Sequence, residues 1–72
     1  MPELRGISGK ALIAALARLG FVLVRQKGSH VALRRGADVC IVPLHDELLI
    51  GTLRGILRQA RVSPEEVLDV LR

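Results

Sequence analysis

The sequence predicts an α+β fold, a three-stranded antiparallel sheet with helices on one face, in the order α-β-β-β-α-α. Three observations predict it. An apolar series at helical spacing (Leu12, Ile13, Leu16, Leu19) stops at Gly20. Three short runs rich in branched residues follow, separated by glycine-containing turns. Further on, Ser63-Pro64-Glu65-Glu66 has the form of a capping box with proline at the first helical position.

The elements follow in chain order. Ser8 is placed to cap a first helix over about residues 9–19. Phe21 to Arg25 reads as the first strand, and Lys27-Gly28-Ser29 as a turn in which Gly28 can take a positive φ. His30 to Arg34 is the second strand, Gly36-Ala37-Asp38 a second turn, and Val39 to Val42 the third strand. Pro43 ends it, because proline has no N–H to give a ladder. After a loop over 44–50, Thr52 is the expected cap of a second helix over about 53–60, with Leu53, Ile56 and Leu57 on one face. The third helix spans about 64–71 and should bury Val67, Leu68 and Leu71. No repeat or linker divides the chain, so residues 1–72 are expected to form one domain.

Seventy-two residues leave no room for a deep, enclosed site. A chain of this size buries only about 60% of its unfolded surface. Half of its residues are apolar, which suits a globular chain rather than a disordered one. The start lacks the apolar core of a signal peptide, and no apolar run approaches the ~18 residues of a membrane span. A single cysteine, Cys40, excludes an internal disulfide and fits the reducing cytoplasm. The charge is uneven. Residues 1–36 hold seven Lys/Arg against one Glu, and residues 37–72 hold four Arg against six Asp/Glu. A basic first half offers a face for a polyanion or simply keeps a small protein soluble.

Strand alternation places Val31 and Leu33 under the helices and His30, Ala32 and Arg34 on the open face. Few chemistries suit such a face. His30, Cys40 and His45 lie on separate elements without zinc-ligand spacing, so no metal site is expected. Ser29 and His30 are adjacent and would point to opposite faces, which argues against a hydrolytic pair. RNA cleavage asks for less, because the substrate brings its own 2′-hydroxyl nucleophile. One imidazole, with an ordinary pKa near 6.5, can move the proton, and cations such as Arg25, Lys27 and Arg34 can hold the phosphate. Phe21 is the only aromatic residue and belongs to the core. RNA binding should therefore be led by phosphate contacts, salt-dependent and weakly sequence-selective.

The stretches "SGKALIAALARLGFVLVRQKGSHVALRR" (8–35), "VPLH" (42–45) and "GTLRGILRQARVSPEEVL" (51–68) cover nearly the whole chain. In their content and order they resemble the HicA (YcfA-like) toxins of bacterial and archaeal toxin–antitoxin pairs. The resemblance implies a fold like a double-stranded-RNA-binding domain and a metal-independent mRNA interferase with no cofactor. It also implies that His30, in the Gly28-Ser29-His30 motif, is catalytic. Gly28 and Ser29 would shape the turn that presents it. From the residues themselves, Lys27, Arg25 and Arg34 are the expected substrate-binding neighbours, being close in sequence, and His45 is the candidate second acid or base. The implied partners are mRNA and a HicB-type antitoxin that covers the histidine, with a monomer alone and a hetero-oligomer in the complex. Two departures stand out. Residues 46–50 read Asp-Glu-Leu-Leu-Ile where many relatives carry lysines, and Arg61 occupies a position where glycine is common. A non-catalytic RNA-binding module and a subunit that mainly holds an antitoxin are the alternatives on the same scaffold.

Overall fold

The computed structural model describes residues 4 and 6–71. Among these, three helices and three strands follow the expected order: α1 (Gly9–Arg18), β1 (Val22–Lys27), β2 (His30–Arg35), β3 (Asp38–Pro43), α2 (Ile50–Ala60) and α3 (Pro64–Leu71). The sheet is antiparallel with order β1-β2-β3. Leu12, Leu16, Val31, Leu33, Cys40, Val42, Leu53 and Val67 form the fully buried centre between helices and sheet. Burial pushes the Cys40 thiol above its ordinary pKa and keeps it protonated.

Local chemistry sets the helix ends. The Ser8 hydroxyl accepts from the Ala11 N–H at 3.0 Å and opens α1. At the other end Gly20 takes φ 101°. The Phe21 N–H reaches the Leu16 carbonyl at 3.0 Å and the Gly20 N–H reaches Ala17 at 3.1 Å, the paired closure of a Schellman motif. Phe21 and Leu16 join the core together. Helix α3 opens on the expected reciprocal box: Ser63 N–H to Glu66 Oε1 at 3.0 Å, and Glu66 N–H to Ser63 Oγ at 3.2 Å. The backbone N–H of Ser63 holds the Glu66 carboxyl below its ordinary pKa, with smaller help from the Ser63 hydroxyl and Arg35.

Helix α2 corrects one expectation. It begins at Ile50, not after Thr52, and its cap is Leu49, which gives no side-chain bond. Leu48 is buried, and its N–H is bound to the Ile7 carbonyl at 2.8 Å. The chain is thereby fixed just before Leu49, and the Leu53 N–H takes the Leu49 carbonyl at 2.9 Å. Thr52 falls inside the first turn and is exposed.

Helix α2 ends on Arg61, at φ 57° and ψ 43°, the left-handed region that glycine occupies at less cost. Its ion pair with Asp38, at 3.6 Å with Arg61 largely exposed, offsets little of that strain. Arg61→Gly should therefore raise stability by about 0.5–1 kcal/mol, read as a higher midpoint in urea.

Two more expectations shift. Leu71 is 42% exposed rather than buried. Among the residues expected to be buried from α3, Val67 is fully buried, whereas Leu68, like Val70, packs partly against the core. The α3 end is tied to α1 by Arg18 Nη1 donating to the Val70 carbonyl at 2.9 Å. The helices also cover less of the sheet than a full layer. They pack on β3 and over β2, while all six residues of β1 stay exposed, including Leu23 on the helix side.

Candidate nucleic-acid interface

Gly28 and Ser29 form a two-residue hairpin loop between the paired residues Lys27 and His30. Gly28 sits at the first central position with φ 60°, the pattern of a type II′ turn, which suits the twist of a hairpin. Gln26 Nε2 donates to the Gly28 carbonyl at 3.2 Å, and the Leu44 N–H donates to the Ser29 carbonyl at 2.7 Å. His30, the first residue of β2, is thus presented by a turn braced from both neighbouring strands. It lies exposed between Lys27 on β1 and Pro43 on β3.

A β-bulge decides which cations join it. Pairing runs Val22↔Arg34 and Leu23↔Leu33, then skips Val24 and resumes at Arg25↔Ala32 and Lys27↔His30. Phe21 and Lys27 are six residues apart, so strict alternation would send both to the same face. Phe21 belongs to the core, and Arg25 and Lys27 would have followed it to the helix side of the sheet, away from His30. The extra residue, Val24, breaks the parity and turns both cations to the open face.

There Arg25, Lys27, Gly28, His30, Ala32 and Ile41 line an open concavity of about 400 Å³. The lining holds two cations, one imidazole and an apolar floor, and no carboxylate. Among the described residues no group of three or more His, Cys, Asp or Glu is placed to hold a metal ion.

The other expected site residues lie outside this concavity. Arg34 shares the open face but pairs with Val22 and Val39, two rungs from His30, about 13 Å along the strand. Ser29 contributes its carbonyl to the bracing of the turn. His45 is exposed on the loop after β3, where its carbonyl accepts from the Gly9 N–H at 2.9 Å. Arg35, the last residue of β2, is tied into the fold. Its guanidinium donates to the Leu19 carbonyl at 3.0 Å and lies over the Phe21 ring, 4.7 Å from the centroid.

Sequence reasoning missed two contributors, Val24 and Ile41. Each had a signal. Val24 lies between residues whose parity conflicts. Ile41 belongs to a strand, Val39-Cys40-Ile41-Val42, that is apolar on both faces although only one face meets the helices. Exposed apolar side chains at Val39 and Ile41 mark a surface built to meet something.

A small α+β protein with an exposed histidine beside two cations on an open sheet face is the class that this fold and site define. The family model described as the HicA toxin of bacterial toxin–antitoxin systems matches residues 9–62, well over half of the chain. This protein belongs to the HicA toxin family, the toxin side of toxin–antitoxin pairs. No curated protein matches the chain. Its sheet and helix order agree with a double-stranded-RNA-binding-domain-like arrangement, and among the described residues no helix is long and apolar enough to cross a membrane.

Proposed function

We propose that this toxin is a metal-independent endoribonuclease that cuts mRNA on the open face of its sheet. The observation that carries the reading is the convergence of His30, Lys27 and Arg25 on one concavity, brought about by the Val24 bulge. In this reading His30 takes the proton of the 2′-hydroxyl as its oxygen bonds to the adjacent phosphorus. The same imidazole then hands that proton to the departing 5′-oxygen, leaving a cyclic phosphate and returning to its starting state. Lys27 and Arg25 hold the phosphate and offset the charge that builds on it. Gly28 and Ser29 act through the turn they form. Arg34, beyond the concavity, meets a neighbouring phosphate. A HicB-type antitoxin would silence the toxin by covering this face, and the pair would act in the cytoplasm.

The test is cleavage of RNA by the purified chain in EDTA, beside growth arrest on expression without antitoxin. RNA binding without cleavage or arrest would instead identify a non-catalytic binding module.

Two further outcomes follow from the geometry. Lys27→Ala and Arg25→Ala should each weaken RNA binding and flatten the plot of log K against log salt by about 0.7, measured by titration at several salt concentrations. His45 stands outside the concavity, so we assign both proton transfers to His30. The pH–rate profile of His45→Ala should accordingly keep the shape of the wild type; loss of one limb would give His45 the second transfer.

A further inference from the structure

The floor of the concavity is apolar, and a site for phosphate alone has no use for that. Ile41 is 49% exposed on the edge strand β3, across the sheet from the cations of β1, and Ala32 between Ile41 and Arg25 is 9% exposed without joining the core cluster. Arg25, Ala32 and Ile41 stand on one rung across β1, β2 and β3. Neighbouring strands lie about 4.8 Å apart, so the outer two Cα atoms are about 10 Å apart. Only a methyl group rises between them. The rung is therefore a trough, walled by a guanidinium stem on one side and a branched aliphatic chain on the other.

A flat ring in contact with both walls needs about 7 Å, two contacts of about 3.5 Å each. The trough accommodates it. Its occupant must offer an apolar face to Ile41, a π-face to the plane of the Arg25 guanidinium, and an anion to Lys27 and to the N–H edge of that same guanidinium, with His30 on the next rung. A nucleotide combines these in one unit. An aliphatic side chain of a protein partner would fill the floor but offer no π-face to Arg25, and the anion would have to come from a separate residue.

We propose that the Arg25–Ala32–Ile41 trough seats one nucleobase next to the bond that is cut, sandwiched between the guanidinium and Ile41. This inference rests on the endoribonuclease reading above and gives its site a base-binding part. The chain lacks aromatic platforms, and a stacked guanidinium over an aliphatic floor replaces them at this one position. Binding elsewhere along the RNA is by phosphate contacts alone. Selectivity is thus concentrated at one nucleotide.

The experiment uses a short oligoribonucleotide cut at one mapped bond, with derivatives in which one residue at a time is an abasic riboside. These keep every phosphate and 2′-hydroxyl. Cleavage in EDTA is followed for the wild type, Ile41→Ala and Ala32→Val, and binding is followed by fluorescence anisotropy on the His30→Ala background. In the wild type, one abasic position beside the cut should raise KM and Kd about tenfold, the worth of one stacked base. Ile41→Ala should suffer a similar loss on intact RNA and be nearly indifferent to that abasic position. Ala32→Val, which fills the floor, should behave likewise while keeping the salt slope set by Arg25 and Lys27. The inference is overturned if no abasic position matters, or if its penalty is as large in Ile41→Ala as in the wild type. It is equally overturned if both variants bind RNA normally and instead loosen a HicB-type antitoxin, which would make the trough a socket for protein. Base-dependent binding without any cleavage would uphold the seat and sink the endoribonuclease reading.

Discussion

His30→Ala is expected to slow RNA cleavage by about 10²–10⁴-fold, the usual worth of one positioned acid–base group. Stability should hardly change. The His30 side chain is exposed, and among the described residues it makes no side-chain hydrogen bond or ion pair. Surface substitutions of this kind usually stay within about ±0.5 kcal/mol. The backbone of residue 30 keeps its ladder with Lys27 and Pro43, so alanine preserves the hairpin. Phosphate binding through Arg25 and Lys27 should survive, which separates the loss of kcat from a loss of affinity. Single-turnover cleavage in EDTA, with circular dichroism and a thermal melt of the same preparation, reads all three. A variant that cuts at the wild-type rate would remove His30 from the chemistry.

Gly9→Ala should cost about 1–3 kcal/mol or more, although Gly9 lies outside the concavity around His30. A Cβ at Gly9 would overlap the backbone carbonyl of Pro43, where the start of α1 crosses the end of β3. Neither side can give way cheaply. Gly9 also donates its N–H to the His45 carbonyl at 2.9 Å, and Leu44, directly after Pro43 at that crossing, is bonded to Ser29. A small domain's core supplies only about 3–5 kcal/mol, so the loss is a large share of the total. The midpoint of thermal unfolding should fall by about 4–8 °C for each kcal/mol. Gly55, in α2, is the control. A Cβ there meets nothing within 4 Å, so Gly55→Ala should stabilise by up to about 1 kcal/mol. Equal effects at the two glycines would contradict the close approach of Gly9 to Pro43.

Much of this was legible in the residues, for identifiable reasons. The Ser8 cap, the Gly20 stop and the Ser63–Glu66 box were readable because each is closed by bonds within a few residues. Thr52 misled because it is a good capping residue in a place where the cap was chosen from outside. Ile7 takes the N–H of Leu48, and the helix starts as soon as the chain is free to turn. Leu71 misled because periodicity says which side of a helix faces inward, not how far the neighbouring elements extend.

The sequence alone determined the fold class, the hairpin turn and the place of His30 at the head of β2, because these follow from turn chemistry and period-two alternation. Only the tertiary structure decided what surrounds the histidine. Burial of Phe21 and presentation of Lys27 require opposite parities along a single strand, and the bulge at Val24 reconciles them. Where the chain absorbs an extra residue depends on the partner strand and on the core beneath Phe21. Cross-strand neighbours such as Ala32 and Ile41 are set by the same register. A periodicity read along one strand carries no information about what lies across the sheet.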